Sequence, residues 1–153
     1  MELLISGSFS DKEISELQEQ LKTRNIDVYR YIIKSYETEE IIRFFFRDLD
    51  AFKLLRDGVL FSVLQWAVGK GITWVKQKKP NAKITVGADL RFEKKDKKIA
   101  PINIGLPSES EKAWKELEKS VTTQFIEFLD GSEIVNVYWD EKEKKIKIQR
   151  MKI

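Results

Sequence analysis

Residues 50–79 read DAFKLLRDGVLFSVLQWAVGKGITWVKQKK, and this stretch decides the fold. At 100° per residue, Leu54, Leu60, Phe61, Leu64, Ala67, Val68, Ile72 and Val75 share one wide arc, with Ser62, Gln65, Thr73 and Lys76 opposite. The pattern predicts a long helix laid on a core. A second seam, Phe52, Leu55, Val59, Val63 and Trp66, recurs every three or four residues on the more polar side. A helix that is apolar on two sides touches something on both. The seam is therefore the candidate partner surface, with Trp66 as its anchor. Gly69 and Gly71 each cost about 1 kcal/mol relative to alanine, so a kink or restart is expected there. Gly58 to Val75 has Lys70 as its single charge, but Gln65 and Lys70 inside it and Arg56-Asp57 beside it favour a core helix over a membrane span.

Toward the N-terminus, Leu3, Ile5 and Phe9 alternate as a strand. Ser10-x-x-Glu13 is a capping box with Phe9 and Ile14 as its staple. Ile14, Leu17 and Leu21 then mark a helix ending near Asn25. Ile26 to Tyr36 carries apolar residues on both faces, which predicts a strand inside a sheet. Residues 37–47 are ambiguous. The run Ile41 to Phe46 favours a strand, whereas Glu39-Glu40 favours a helix start, and periodicity cannot separate them.

Beyond Pro80 the period changes to two. Ile84, Val86, Ala88, Leu90 and Phe92 alternate with polar residues, and after a lysine-rich turn so do Ala100, Ile102, Ile104 and Leu106. That predicts a hairpin, with Pro101 on an edge or at a bulge. Ser108 and Glu111 have capping-box spacing before a helix striped by Trp114, Leu117, Val121, Phe125 and Phe128 and stopped at Gly131. Val135, Val137 and Trp139, then Ile146 and Ile148, predict a second hairpin. The expected architecture is α+β, one domain over residues 1–153 (1–79 and 80–153 sharing a core). It has a mixed sheet of five or six strands and three helices mainly on one face.

The chain has 153 residues, a net charge of +3, no histidine and no cysteine. That composition excludes thiolate nucleophiles, imidazole bases, disulfides and Cys/His zinc sites. Asp48 with Asp50, or Glu39 with Glu40, could ligate magnesium, but helix-start capping explains those pairs equally well. Ser6-Gly7-Ser8 has neither the glycine run nor the lysine of a phosphate loop, and reads as a strand-end turn. No cofactor, no metal and no catalytic residue is expected. The opening residues lack a basic segment, so no secretory signal is read and the cytoplasm is the expected compartment.

Charge is uneven. Residues 76–98 hold nine basic residues against three acidic, and residues 141–153 hold six against two. Solvated turns account for both. The sharper possibility is a nucleic-acid surface of Lys76, Lys78, Lys79, Lys94, Lys95, Lys97 and Lys98.

The order strand, capped helix, strand, then an apolar helix closing in Trp74-Val75-Lys76-Gln77-Lys78-Lys79 and running into Ile84-Thr85-Val86, resembles the effector-associated constant component domains. These are small non-catalytic modules of bacterial conflict and defence systems. The resemblance extends to about Phe92. It departs where Asp48-Leu49-Asp50-Ala51 replaces a glycine-rich lead-in, and the helix and hairpin from Ser108 onward have no counterpart. It implies an adaptor that brings components together. The expected function is thus a protein–protein interaction module whose partner is another protein or a second copy, with no membrane role. A toxin-neutralising inhibitor, a nucleic-acid-binding domain and a carboxylate-metal enzyme are the alternatives.

Overall fold

Seven segments of the described chain are strands. A computed structural model, which describes residues 1–31, 41–48, 51–93, 99–107, 110–129 and 131–152, joins them in one sheet. The strands are β1 (Glu2–Ile5), β2 (Asp27–Arg30), β3 (Ile41–Asp48), β4 (Lys83–Glu93), β5 (Ile99–Gly105), β6 (Glu133–Asp140) and β7 (Lys145–Lys152). The described helices are α1 (Asp11–Leu21), α2 (Phe52–Arg56), α3 (Leu60–Lys78), α4 (Glu111–Ser120) and α5 (Thr123–Glu127). Sheet order is β2-β1-β3-β4-β5-β6-β7. The pairs β1/β2, β3/β4 and β5/β6 are parallel, each joined through helices, and neighbouring pairs meet antiparallel. Helical crossovers are what parallel neighbours require.

The α+β class and the mixed sheet are as expected, while the described residues form seven strands and five α-helices rather than five or six and three. Two long helices are each interrupted, which accounts for the extra helices. The first breaks at Asp57-Gly58-Val59, where Gly58 has φ +75°, and not at Gly69 or Gly71. The second breaks after Ser120, and Thr122 caps a new helix by accepting from the Phe125 N–H at 3.2 Å. Residues 41–47 are strand, which resolves the described part of the ambiguous segment; residues 37–40 lie outside the described residues.

Register places Leu3 and Ile5, Phe44 and Phe46, Val86 and Ala88, Ile102 and Ile104, and Val135 and Val137 on one face, all of them buried. The helices cover that face. Arg43, Phe45, Arg47, Thr85, Arg91 and Asn103 point to the other, which is bare and exposed. The described part of the expected strand 26–36 is an edge, not an interior strand, because the parallel crossover carries β2 outside β1 while β3 takes the inner position. Conversely β5 is interior, yet Pro101 is tolerated. Its ladder to β6 begins at Ile102, so Pro101 belongs to a stretch paired with β4 alone.

Capping follows the sequence at one helix and shifts at another. Ser10 Oγ accepts from the Glu13 N–H and Glu13 returns the bond to the Ser10 N–H, the full box expected. At α4 the cap is Ser110, whose hydroxyl accepts from the Ala113 N–H, two residues later than expected; Ser108 lies outside the described residues. Serine at 110 serves the same orphan donors one half-turn closer to Trp114.

Helix α3 runs unbroken through both glycines because Gly71 faces the sheet. A Cβ there would lie 3.0 Å from Cζ of the buried Phe44 ring, whereas a Cβ at Gly69 would meet nothing within 4 Å. Gly69→Ala is therefore expected to stabilise by up to about 1 kcal/mol through helix propensity. Gly71→Ala is expected to destabilise, since forcing a methyl into a packed core costs about 1–3 kcal/mol. Urea titration of the two variants against wild type checks the opposite signs.

Candidate docking surfaces

The turn at Asp57-Gly58-Val59 divides the second seam between two helices. Phe52 and Leu55 lie on α2, Val59 in the turn, and Val63 and Trp66 on α3. Phe52, Leu55, Val63 and Trp66 are half-buried against the core, and Val59 is 39% exposed. The Trp66 ring lies beneath the Arg24 guanidinium, 5.3 Å from its centroid. A cation stacked on a ring already satisfies that face. The five residues thus do not form one stripe on one cylinder. Leu55 and Val59 gather at the α2–α3 turn, and Trp66 packs with the end of α1's segment.

Sequence reading missed the strongest apolar feature of this layer. Phe128 was expected in the buried stripe of a single helix, but the interruption after Ser120 changes its phase and leaves the ring 83% exposed at the C-terminal end of α5. Phe125 and Ile126 keep contact with the core. The local clue is Thr122-Thr123, a capping pair in the middle of an apolar stripe. Helix α2 packs against α5. Beside them is a cavity of about 260 Å³, lined by Leu55, Arg56, Gly58, Leu60, Phe61, Glu118, Val121, Thr122 and Thr123.

The bare sheet face is a second surface. One row crosses all seven strands: Tyr29, Leu4, Phe45, Gly87, Gly105, Tyr138 and Lys147. Tyr29 is 49% and Phe45 37% exposed. The adjacent row, Asp27, Glu2, Arg47, Asp89, Asn103, Asn136 and Gln149, is polar. Within it Arg47 is ion-paired with Glu2, and Asn103 donates to Asn136 at 3.2 Å. Acids and cations are interspersed, so the face has no single sign.

Where the sheet ends near α4, Gly105, Leu106, Pro107, Ser110, Tyr138, Trp139 and Glu141 line a shallow cavity of about 500 Å³. Its carboxylate, Glu141, accepts from Trp139 Nε1 at 2.7 Å and from Lys144 Nζ at 2.5 Å. The lysine, and then the indole, hold the Glu141 pKa below the ordinary glutamate value. An acid held ionised and doubly bonded is a poor proton donor or base at neutral pH.

Lys76 and Lys78 are in the last turn of α3, Lys79 follows, and Lys78 bonds Glu16 at 2.8 Å. Lys94, Lys95, Lys97 and Lys98 lie outside the described residues. In the tail, Lys147 pairs with Asp140 and Glu143, and Arg150 with the nearly buried Glu133.

The Ser6-Gly7-Ser8 turn is built for packing. Gly7 has φ +131°, and a Cβ on it would lie 2.6 Å from Ile42 Cδ1 and 2.8 Å from the Phe9 ring. Ser6 Oγ accepts from the Arg43 N–H. The N-terminus of α1 already carries its own Glu13 carboxylate, whose pKa is lowered first by the Ser10 amide. Of the carboxylate pairs, Asp50, Glu39 and Glu40 lie outside the described residues, and Asp48 ends β3. Among the described residues no three potential ligands cluster, and no helix is long and apolar enough to cross a membrane.

Asp140 closes the β6–β7 turn. It accepts from Lys147 Nζ at 2.9 Å and from the Lys142 and Glu143 N–H groups at 2.9 and 3.0 Å. Lys147 foremost, with the Glu143 amide, lowers its pKa from the ordinary aspartate value. A carboxylate depressed in the folded state stabilises above its unfolded pKa, and that contribution is lost as pH falls through the folded value. Asp140→Asn is accordingly expected to melt below wild type at neutral pH, with the difference shrinking in thermal scans as pH falls through the folded value.

No family model matches the chain, and no match was found among curated proteins or solved structures.

Proposed function

We propose that this chain is a non-catalytic protein–protein interaction module, an adaptor. Its docking surface is centred on Leu55, Val59 and Phe128, with Phe52, Val63 and Trp66 as the packed support behind it. The observation that carries the reading is Phe128, a phenyl ring 83% exposed on a short, capped helix packed against α2. Scattered exposed apolar residues need no explanation. An aromatic ring held in solvent at the end of a packed helix has the form of an interface anchor. The absence of histidine and cysteine supports a role without chemistry. The pattern shared with effector-associated constant component domains supports an adaptor in a bacterial defence setting, in the cytoplasm. An inhibitor that neutralises a toxin would use the same surface, and differs only in its partner being an enzyme.

A second reading is favoured by the row Tyr29–Phe45–Tyr138 on the bare sheet face, with Arg43 two residues before Phe45. Exposed aromatics on a sheet stack unpaired bases. The basic residues Lys76, Lys78 and Lys79 would then serve as a separate phosphate contact. This reading predicts binding of a fluorescent single-stranded oligonucleotide that weakens steeply with salt; no binding at low salt removes it.

The primary reading is tested by quantitative affinity purification from the source cells with wild type, Val59→Ser and Phe128→Ser. Both substitutions are at exposed sites and are expected to leave the melting temperature unchanged to within about 0.5 kcal/mol of stability. A specific protein recovered with wild type is expected to fall at least about tenfold with Phe128→Ser, the loss of a hot-spot residue. Identical recovery by all three overturns the surface.

A further inference from the structure

The two helix breaks border one cavity. Gly58, in the turn between α2 and α3, and Val121 and Thr122, between α4 and α5, all line the space of about 260 Å³. A Cβ on Gly58 would meet nothing within 4 Å, so nothing crowds the turn on that side. The walls divide by chemistry. Leu55, Leu60, Phe61 and Val121 are apolar, and the last three are buried. A cavity of roughly 150 Å³ is enough to admit benzene, so there is room for one apolar side chain of that size.

Arg56 and Glu118 are the charged residues of the lining, one cation from the end of α2 and one anion from α4. Opposite charges bordering one small recess attract, yet these two are not joined. Arg56 makes a single long ionic contact, from Nε to Asp57 at 3.9 Å. Glu118 has no ion-pair partner among the described residues. The recess is thus presented with a guanidinium on its α2 side and a carboxylate on its α4 side, both with unused hydrogen-bonding capacity. Thr122 adds a hydroxyl, whose oxygen accepts from the Phe125 N–H at 3.2 Å and whose own hydrogen is left to donate.

This combination selects a ligand. A guanidinium holds a carboxylate through two parallel N–H···O bonds, and a carboxylate holds an ammonium. A simple anion would be opposed by Glu118 and a simple cation by Arg56. An uncharged apolar molecule would desolvate both charges and pair neither. A molecule with one charge of each sign on a single carbon, and an apolar side chain beside them, meets every wall with its complement.

We propose that the cavity between the helix breaks binds a free apolar α-amino acid of leucine or phenylalanine size, its carboxylate on Arg56, its ammonium on Glu118 and its side chain against Leu60, Phe61 and Val121. The site goes beyond the docking surface assigned above and depends on neither Phe128 nor a protein partner.

The test is isothermal titration calorimetry, with thermal melting alongside, of the full chain with L-leucine and L-phenylalanine. Each is compared with its amide, which lacks the carboxylate, and its N-acetyl form, which lacks the ammonium. At least one free amino acid is expected to saturate a single site and raise the melting temperature. Its amide and N-acetyl form are each expected to bind at least about tenfold more weakly, the scale of one lost hydrogen-bonded charge. Arg56→Gln is expected to erase the advantage over the amide, and Glu118→Gln the advantage over the N-acetyl form. Both residues are exposed, so the variants are expected to keep the wild-type circular dichroism and melting temperature without ligand, and lost binding reads as a lost contact. Aspartate and lysine, whose side chains would set a charge against the apolar wall, are expected not to bind. Neither heat nor a melting shift with either amino acid at millimolar concentration overturns the proposal. So does equal binding of the amide and N-acetyl forms, or binding that both variants leave unchanged.

Discussion

Helix α3 lies on the sheet only as closely as Gly71 allows. A Cβ on residue 71 would lie 3.0 Å from the Phe44 ring, which would have to give by a few tenths of an ångström, and Phe44 is itself enclosed. That one approach sets the distance between layers at the middle of the molecule. Leu60, Leu64, Ala67, Val68, Trp74 and Val75 can then reach the sheet along nearly five turns, and the same face of β1, β3, β4, β5 and β6 is sealed beneath them. Since every described helix is used on this side, none of them covers the opposite face. The two exposed surfaces follow from this. One is the bare sheet. The other is the outer side of the helical layer, where short helices leave a ring and a recess.

The short helices are consequences of competition between local and tertiary preferences. Apolar spacing runs continuously through residues 52–75, yet the backbone turns at Gly58, and α2 leaves the axis of α3 to pack on α5 and β4. The same happens after Ser120. There Val121 is buried while Thr122 offers its hydroxyl to an N–H of a new helix. In each case a break gives the chain one more direction in which to cover the sheet. The break after Ser120 also removes Phe128 from the core, and it is the reason an aromatic residue that belongs to a stripe in sequence stands in solvent in space.

Electrostatics play a supporting part. Several lysines and arginines are paired with nearby acids: Arg47 with Glu2, Arg150 with Glu133, Lys147 with Asp140 and Glu143, Lys78 with Glu16. Exposed pairs of this kind contribute little individually. In the tail they set acids among the cations that count as a basic block in the sequence. On the edge strand β7 the same cations discourage pairing with another sheet.

Much of this was legible in the residues themselves. Period-two alternation in 84–92 and 100–106, the Ser10–Glu13 box and the apolar arc of 60–75 determine a sheet half buried by helices, because each depends on spacing within one element. So does the exclusion of imidazole and thiol chemistry, which is a matter of composition. Strand order was not legible, nor that β2 is an edge and β5 interior, since nothing local distinguishes a strand's neighbours. The candidate site was read in part. Leu55 and Val59 stand out as surplus apolar residues, but the tertiary structure turned Trp66 toward Arg24, set a cavity against Leu55 and left Phe128 in solvent. A helix break changes the phase of every residue after it, and whether a stripe breaks is decided by what the rest of the chain offers it to pack against.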